Sequence, residues 1–173
     1  MLGEEEGDDG GPVRWIVDPI DGTRNFSRGV PLWATLIALE REGARVLGVV
    51  SAPALGRRWW AASGEGAYAD GERIHVSQVS SLDAASISCS LAVDLARLEP
   101  HVWQARGLGD FWQHVLVAEG ALDAAVDVPL ALWDYAALEP IVAEAGGRTG
   151  EVNGQFVSSN GALHDAVAQC LSA

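Results

Sequence analysis

A short apolar run that ends abruptly in two carboxylates is the feature that most constrains how this sequence folds. Residues 15–17 (Trp-Ile-Val) are followed by Asp18 and Pro19, and Asp21 comes three residues after Asp18. Such a run is typical of a buried strand, and the residue before a proline favours extended rather than helical backbone. The sequence therefore predicts a strand inside a sheet, with both carboxylates on a turn where the strand emerges.

Strand patterns dominate the first half of the sequence, whereas helices alternate with strands in the second half. Apolar and β-branched residues predict strands at residues 32–40, 46–51, 58–61, 66–68, 87–90 and 121–128. Helical spacing and stop residues predict helices at residues 94–104, 111–118, 135–145 and 162–171. This pattern favours an α+β fold in which helices and mixed sheets form layers, and 173 residues fit a single domain, residues 1–173.

Two aspartates precede predicted helices. Asp110 and Asp134 each stand where an N-cap side chain accepts a backbone N–H group of the first helical turn. Pro140 lies inside the helix that follows Asp134 and removes one backbone hydrogen bond. We therefore expect a kink or a delayed start in that helix.

The charge of the chain limits its partners. The 24 acidic and 11 basic residues give a formal net charge of −13, and a surface this negative repels the phosphate backbone of nucleic acids. The two cysteines, Cys89 and Cys170, show neither a disulfide framework nor the spacing of a thiolate metal site. No apolar stretch approaches the roughly 18 to 20 residues of a membrane span. We expect a cytoplasmic protein with no nucleic-acid or membrane partner.

The segment from Asp18 to Thr23 offers oxygen ligands and backbone N–H groups close together. Mg²⁺ usually takes one or two carboxylates together with water and substrate phosphate, and Asp18, Asp21 and the Ile20 carbonyl supply such oxygens. Gly22 lets a ligand approach the backbone, and Thr23 is placed to begin a short helix whose N–H groups face an anion. An Asp-Pro turn followed by an Asp-Gly turn explains the same residues without a ligand, so spacing alone leaves both interpretations open.

Two separate segments resemble the signatures of the inositol monophosphatase superfamily. Residues 15–26 (Trp-Ile-Val-Asp-Pro-Ile-Asp-Gly-Thr-Arg-Asn-Phe) are similar to the first signature, and Trp133-Asp134 with Glu-Ala-Gly-Gly at 144–147 is similar to the second. The resemblance extends to residues 49–53, 64–67 and 159–161. It implies the layered helix and mixed-sheet sandwich of the inositol monophosphatase and fructose-bisphosphatase type.

The sequence departs from the family at its start. Family members carry a pair of helices before a Gly-Glu-Glu motif, which residues 3–5 resemble, and this sequence lacks that pair. The resemblance thus implies an N-terminally truncated fold with exposed apolar surface. A misassigned start, a fragment of a longer chain and a covering partner subunit each account for this. We expect weak stability or self-association, most simply as a homodimer.

The resemblance implies a phosphomonoesterase that uses two or three Mg²⁺ ions. The metal ligands that it implies are Glu4, Asp18, the Ile20 carbonyl, Asp21 and Asp134. The residues that it implies for phosphate and substrate binding are Asp21, Gly22, Thr23, Arg24, Asp110 and Asp127. Glu4, Thr23 and Asp18 would be catalytic, with Glu4 and Thr23 orienting a water that attacks phosphorus in line and without a covalent enzyme intermediate.

The substrate is expected to be a small phosphate monoester. Residues 28–35, 52–60 and 106–112 are similar to the bacterial histidinol-phosphatase branch of the family, which implies hydrolysis of histidinol phosphate in histidine biosynthesis. Because this substrate carries an ammonium group, Asp110 and Asp127 are candidates for binding it, although a helix cap and a solvated strand end explain them equally well.

Two alternatives to histidinol phosphatase activity stay open at this point. The same chemistry could act on inositol phosphate or another polyol phosphate, or the chain could be an impaired module that binds metal or phosphate without turnover. The four histidines show no metal-ligand spacing and are interpreted as structural; they are His75, His101, His114 and His164.

Overall fold

The first seven strands form one sheet in chain order. The computed structural model describes residues 2–3 and 11–172. The strands of this sheet are β1 (Leu2–Gly3), β2 (Val13–Asp21), β3 (Ala34–Arg41), β4 (Ala44–Ala52), β5 (Arg57–Ala62), β6 (Gly66–Ala69) and β7 (Glu72–Ile74). Neighbours are antiparallel except β1 and β2, which are parallel. The strands predicted at residues 32–40, 46–51, 58–61 and 66–68 are confirmed, and they form an antiparallel meander.

A second sheet is mixed and has the strand order β11-β12-β10-β8-β9. Its strands are β8 (Ser86–Cys89), β9 (Gln104–Arg106), β10 (Ala124–Val126), β11 (Arg148–Val152) and β12 (Gln155–Ser159). Strand β8 runs parallel to β9 and β10, whereas β12 is antiparallel to β10 and β11. Parallel neighbours need a crossover connection, and the helices supply it.

The helices arrange the two sheets in layers. They are α1 (Thr23–Ser27), α2 (Ala92–Leu98), α3 (Asp110–Ala118), α4 (Leu132–Tyr135), α5 (Leu138–Glu144) and α6 (His164–Ser172). Helices α3 and α5 contact each other and lie between the sheets, while α2 and α6 pack on the other side of the second sheet. The α+β fold of layered helices and mixed sheets, predicted from the sequence, is confirmed.

The largest apolar cluster fills the space between the first sheet and the middle helices. Alternate residues of β3, Ala34, Leu36 and Ala38, are fully buried on this face, as the period of a strand requires. Trp59 from β5 and Phe111 from α3 meet there with ring centroids 6.2 Å apart. On the other face of the sheet, apolar side chains stay partly or largely exposed; examples are Trp15, Val17, Ile37, Leu39 and Trp60.

Two helix predictions need correction. The helix expected at residues 94–104 is α2, which ends at Leu98; a 3₁₀ turn at Glu99–His101 follows, and β9 begins at Gln104. Pro100 accounts for the early end, since it cannot continue the α-helical hydrogen bonding.

None of the helices within residues 11–172 is long and apolar enough to span a bilayer.

The helix expected after Asp134 is divided into α4 and α5. Pro140 is the third residue of α5, where its missing N–H group breaks no helical hydrogen bond, so the predicted delayed start is confirmed. The strand expected at residues 121–128 is shorter, because only Ala124–Val126 pair with β8 and β12.

The close approach of β4 to α5 makes a testable prediction at Gly48. A Cβ atom at Gly48 would lie 2.1 Å from the Ala137 carbonyl oxygen and 2.8 Å from Pro140 Cγ. Because this overpacks a buried contact, we expect Gly48→Ala to lower the free energy of unfolding by about 2–3 kcal/mol, measured by urea denaturation. Gly150→Ala in β11 is the matched control, since its nearest contact would be an ordinary 3.5 Å to His164 Nε2. Equal losses in both variants would contradict the prediction.

Candidate active site

A β-bulge at the end of β2 brings two carboxylates onto one face of the strand. Asp18 pairs with Leu36 and Asp21 with Ala34, so three residue steps on β2 match two on β3. In a regular strand, residues three apart point to opposite faces, and the extra residue of a bulge restores the same side. The convergence predicted for a turn after the strand is thus achieved within the strand itself. The backbone N–H of Ile20 donates to Asp18 Oδ1 at 2.9 Å.

Asp134 reaches the same place from α4, which packs against β2. Its Oδ2 atom accepts the backbone N–H of Ala131 at 2.8 Å. The sequence had suggested that Asp134 caps the following helix. Asp134 instead lies within the separate short helix α4 and does not cap α5. One carboxylate oxygen from each of Asp18, Asp21 and Asp134 lies within 4.8 Å of the others.

Burial and like charges act together on Asp21. Burial raises the pKa of Asp21 well above its usual value, and the nearby carboxylates of Asp110, Asp18 and Asp134 raise it further. A hydrogen bond of 2.8 Å from the backbone N–H of Phe111 to Asp21 Oδ2 opposes this effect. The cluster is therefore costly for the protein alone and suited to bind a cation.

The residues after Asp21 turn into the short helix α1. Gly22 has a left-handed backbone (φ 78°) and is the N-cap of this helix, and a Cβ atom there would lie 2.8 Å from the Leu32 carbonyl oxygen. Thr23 begins the helix as predicted, and its hydroxyl donates to the Ile20 carbonyl at 3.0 Å. Arg24 is exposed beside them. The predicted ligand Glu4 lies outside the residues that the structure describes.

The carboxylate cluster opens into a cleft of about 590 Å³, a size that suits a small organic ligand. The residues of this cleft that the sequence predicted as site residues are Asp18, Ile20, Asp21, Gly22, Thr23, Arg24, Asp110, Asp127 and Asp134. Ser90, Leu91 and the loop at residues 107–109 complete its wall. The structure therefore brings together every predicted site residue that it describes.

Asp110 is the first residue of α3, and the N-cap is Gly109, so Asp110 is not the cap that the sequence suggested. Its φ of 51° is uncommon for a residue other than glycine. Asn25 Nδ2 donates to Asp110 Oδ2 at 2.9 Å and to the Leu32 carbonyl at 3.0 Å. Burial raises the pKa of Asp110, and the charge of Asp127 raises it further, while Arg24 lowers it in part.

Asp127 follows β10 and is buried, with 4% of its surface exposed, so it is not the solvated strand end considered above. It accepts hydrogen bonds from the Val128 backbone N–H (2.8 Å), Gln113 Nε2 (3.0 Å) and His114 Nε2 (3.3 Å). Burial alone would raise the pKa of Asp127, but its hydrogen bond and electrostatic attraction to His114, with hydrogen bonds from Ser90 and the Val128 backbone N–H, hold it below its usual value. Asp127 is therefore ionised at neutral pH.

Three polar residues beside the cleft were missed by sequence reasoning. Asn25 contacts Asp110, whereas Gln113 and His114 contact Asp127. Asn25 lies within the first signature, which could have drawn attention to it. Gln113 and His114 had no such signal, because their contact with Asp127 depends on how α3 packs against β10.

Cys89 precedes Ser90 at the edge of this cleft. Burial raises the pKa of its thiol to about 12, with the negative charges of Asp94 and Asp127 contributing. A thiol with this pKa stays protonated at neutral pH and is a poor nucleophile. The site therefore favours attack by water over attack by cysteine.

The chain matches the protein-family model described as the inositol monophosphatase family over residues 1–170. It is 50% identical over 181 residues to the histidinol-phosphatase of Mycobacterium tuberculosis, covering 92% of this chain and 70% of that protein. It is 48% identical over 192 residues to the histidinol-phosphatase of Streptomyces coelicolor, covering 94% of this chain and 71% of that protein.

A solved structure shares the fold. The IMPase of Thermotoga maritima matches with a TM-score of 0.90 and 37% sequence identity, covering 99% of this chain and 73% of that one. The match includes both sheets and the carboxylate-bearing segments, since it spans almost every residue. The chain therefore belongs to the inositol monophosphatase family.

Proposed function

We propose that this chain hydrolyses histidinol phosphate to histidinol and inorganic phosphate with the help of bound divalent cations. The observation that carries the proposal is that five acidic side chains line one cleft, three of them converging within 4.8 Å. Such a cleft suits a substrate that brings both a metal-binding phosphate and a positive charge. The relatives from Mycobacterium tuberculosis and Streptomyces coelicolor, both named histidinol-phosphatase, support this choice of substrate.

The donor set fits Mg²⁺, which prefers carboxylate, carbonyl and water oxygens. Asp18, Asp21 and Asp134 would hold two or three ions, with the Ile20 carbonyl as a further ligand. Glu4 stays a predicted ligand and catalytic residue. When bound, the cations lower the pKa of water and stabilise negative charge on the phosphate and leaving oxygens.

Thr23 would orient the attacking water. Its hydroxyl proton is donated to the Ile20 carbonyl, so the oxygen lone pairs can accept a hydrogen bond from water. The backbone N–H groups of Gly22 and Thr23 would donate to the phosphate, and the exposed Arg24 adds positive charge at its edge. Water then forms the new O–P bond in line as the ester O–P bond breaks; the attacking water gives up one proton and the leaving oxygen takes up one, so the products are the alcohol and inorganic phosphate.

Asp127 and Asp110 would bind the part of the substrate that carries the ammonium group. Asp127 is ionised and lines the cleft beside the metal cluster. Its hydrogen-bond donors described above are an amide, an imidazole, a serine hydroxyl and a backbone N–H group rather than an arginine or lysine. A carboxylate held in this way keeps its negative charge for a cationic ligand.

The metal cluster can be tested by phosphate release. We expect Asp18→Asn to lower the rate of release from histidinol phosphate in Mg²⁺ by at least about 100-fold, because it removes an anionic ligand from the cations that stabilise the transition state. Asp83→Asn, at an exposed aspartate in the 3₁₀ turn Leu82–Ala84, is the matched control and should keep full activity.

The outcomes of this assay separate the alternatives. Equal release by Asp18→Asn would contradict the mechanism. Faster turnover of inositol 1-phosphate than of histidinol phosphate by the unmodified chain would assign the second substrate class. Mg²⁺ binding without any turnover would identify a binding module.

The raised pKa of Asp21 makes a prediction about stability. The folded chain holds the Asp21 proton more tightly than the unfolded chain does, so stability is lost as the pH rises from 3.8 towards the raised pKa. At pH 7 in EDTA, Asp21→Asn should therefore raise the melting temperature, and this gain should shrink below pH 3.8.

Addition of Mg²⁺ should reverse the order of the melting temperatures of the unmodified chain and Asp21→Asn. The unmodified chain gains stability from metal binding, whereas Asp21→Asn gains less because it has lost a ligand. Thermal unfolding with and without Mg²⁺ measures both effects, with Asp83→Asn as the control. A lower melting temperature for Asp21→Asn in EDTA at pH 7 would show that its carboxylate stabilises the metal-free fold.

A further inference from the structure

We propose that His114 and Gln113 are positioning residues for substrate selection, holding the Asp127 carboxylate where it binds the ammonium group of the substrate. This inference rests on the proposed hydrolysis of histidinol phosphate and deepens it. Asp127 lines the cleft, whereas His114 and Gln113 are each 0% exposed and lie behind it. They can therefore influence the substrate only through Asp127 and its neighbours.

The hydrogen bonds of His114 define its role. Its Nε2 atom lies 3.3 Å from Asp127 Oδ2, and its Nδ1 atom lies 2.8 Å from Ser158 Oγ on β12. An ionised carboxylate can only accept, so Nε2 donates to it, and the hydrogen bond between Nδ1 and the Ser158 hydroxyl holds the other side of the ring. The imidazole packs against Phe156 with ring centroids 5.2 Å apart, which fixes the plane of the ring.

Gln113 links the same carboxylate to the opposite wall of the cleft. Its Nε2 atom donates to Asp127 Oδ2 at 3.0 Å, and its Oε1 atom accepts from Ser88 Oγ at 2.8 Å and from the Gly109 backbone N–H at 3.3 Å. Ser88 Oγ in turn accepts the backbone N–H of Leu108 at 3.1 Å. The side chain therefore couples the loop at residues 107–109 to Asp127.

Gln113 and His114 both donate to Oδ2 of Asp127, while Oδ1 accepts the Val128 backbone N–H. These hydrogen bonds leave the carboxylate little freedom to rotate. Those from His114, Ser90 and the Val128 backbone N–H also offset the cost of burying its charge, which is why the pKa of Asp127 stays low. A fixed, ionised carboxylate binds an ammonium group with less ordering cost than a mobile one.

The alternative is that His114 has only a structural role, as a buried histidine with its hydrogen bonds made. The chain provides a matched control for this alternative. His164 is also buried, with 4% exposed, and its Nδ1 atom lies 3.0 Å from Ser159 Oγ. It is the first residue of α6 and is not among the residues that line the cleft. A purely structural effect of losing a buried imidazole should appear in both variants.

The test compares His114→Phe with His164→Phe on two substrates in Mg²⁺. For His114→Phe we expect kcat/KM for histidinol phosphate to fall about tenfold, mainly through KM, since a hydrogen bond to a charged group is lost. For inositol 1-phosphate, which has no ammonium group, the loss should be below about threefold. His164→Phe should leave the ratio of the two kcat/KM values unchanged even if it lowers the melting temperature.

A second variant keeps the test usable if His114→Phe does not fold. Gln113→Glu retains the Oε1 acceptor for Ser88 and Gly109 but replaces the donor to Asp127 with another acceptor. It should shift the ratio in the same direction as His114→Phe. In an Asp127→Asn background, both substitutions should lose their effect on the ratio, because they act through that carboxylate.

The results separate this inference from the proposed function. If the unmodified chain releases no phosphate from histidinol phosphate, the proposed function fails and this inference fails with it. If the unmodified chain is active but His114→Phe and Gln113→Glu reduce kcat/KM equally for both substrates, or leave both unchanged, the inference alone is overturned. A selective rise in KM for histidinol phosphate supports it.

Discussion

The repulsion among Asp18, Asp21 and Asp134 is the constraint on which the rest of the site depends. Three acidic groups with oxygens within 4.8 Å would separate in a flexible chain, so the fold must hold them together. Strand β2 is hydrogen-bonded on both sides, and α4 packs against it. The packing of the core thus opposes the electrostatic cost of the cluster, and a bound cation would remove most of that cost.

Helix α3 connects the metal cluster to the rest of the cleft. The backbone N–H of its residue Phe111 donates to Asp21, and the side chains of Gln113 and His114 donate to Asp127 one turn later. The Phe111 ring packs against Trp59 in the main apolar cluster, which anchors the beginning of the helix. A single element therefore contacts both groups of carboxylates and sets the distance between them.

Local sequence patterns correctly predicted the parts of the structure that are determined by the conformational preferences of a few neighbouring residues. The apolar run before Asp18 formed a strand, and Gly22 and Thr23 began a short helix, because proline, glycine and strand alternation act over a few residues. The bulge at Asp18 and Asp21 was not predicted, since it depends on the register of β2 against β3. The convergence of Asp134 with them came only from the family resemblance.

On the substrate side, the alternative interpretations of Asp110 and Asp127 as a helix cap and a solvated strand end were wrong, because tertiary packing decides their positions. Asp110 looked like a helix cap, but Gly109 takes that position and Asp110 adopts a positive φ facing Asn25. Asp127 looked like a solvated strand end, but it is buried and hydrogen-bonded to α3 and β12. His114 showed no ligand spacing, and its role depends on a carboxylate 13 residues away that only the fold brings near.

The choice of donors around Asp110 and Asp127 explains how an acidic cleft can stay selective. An arginine or lysine bonded to either carboxylate would neutralise the charge that an ammonium group needs. The described hydrogen bonds to their side chains instead come from amide, imidazole, hydroxyl and backbone groups, while Arg24 acts on Asp110 only through its charge. Donors of these kinds satisfy the buried oxygens without placing an arginine or lysine side chain in hydrogen-bond contact with either carboxylate. The cleft can then attract a cation at one end while divalent ions neutralise the phosphate end, which a uniformly acidic or uniformly basic cleft could not do.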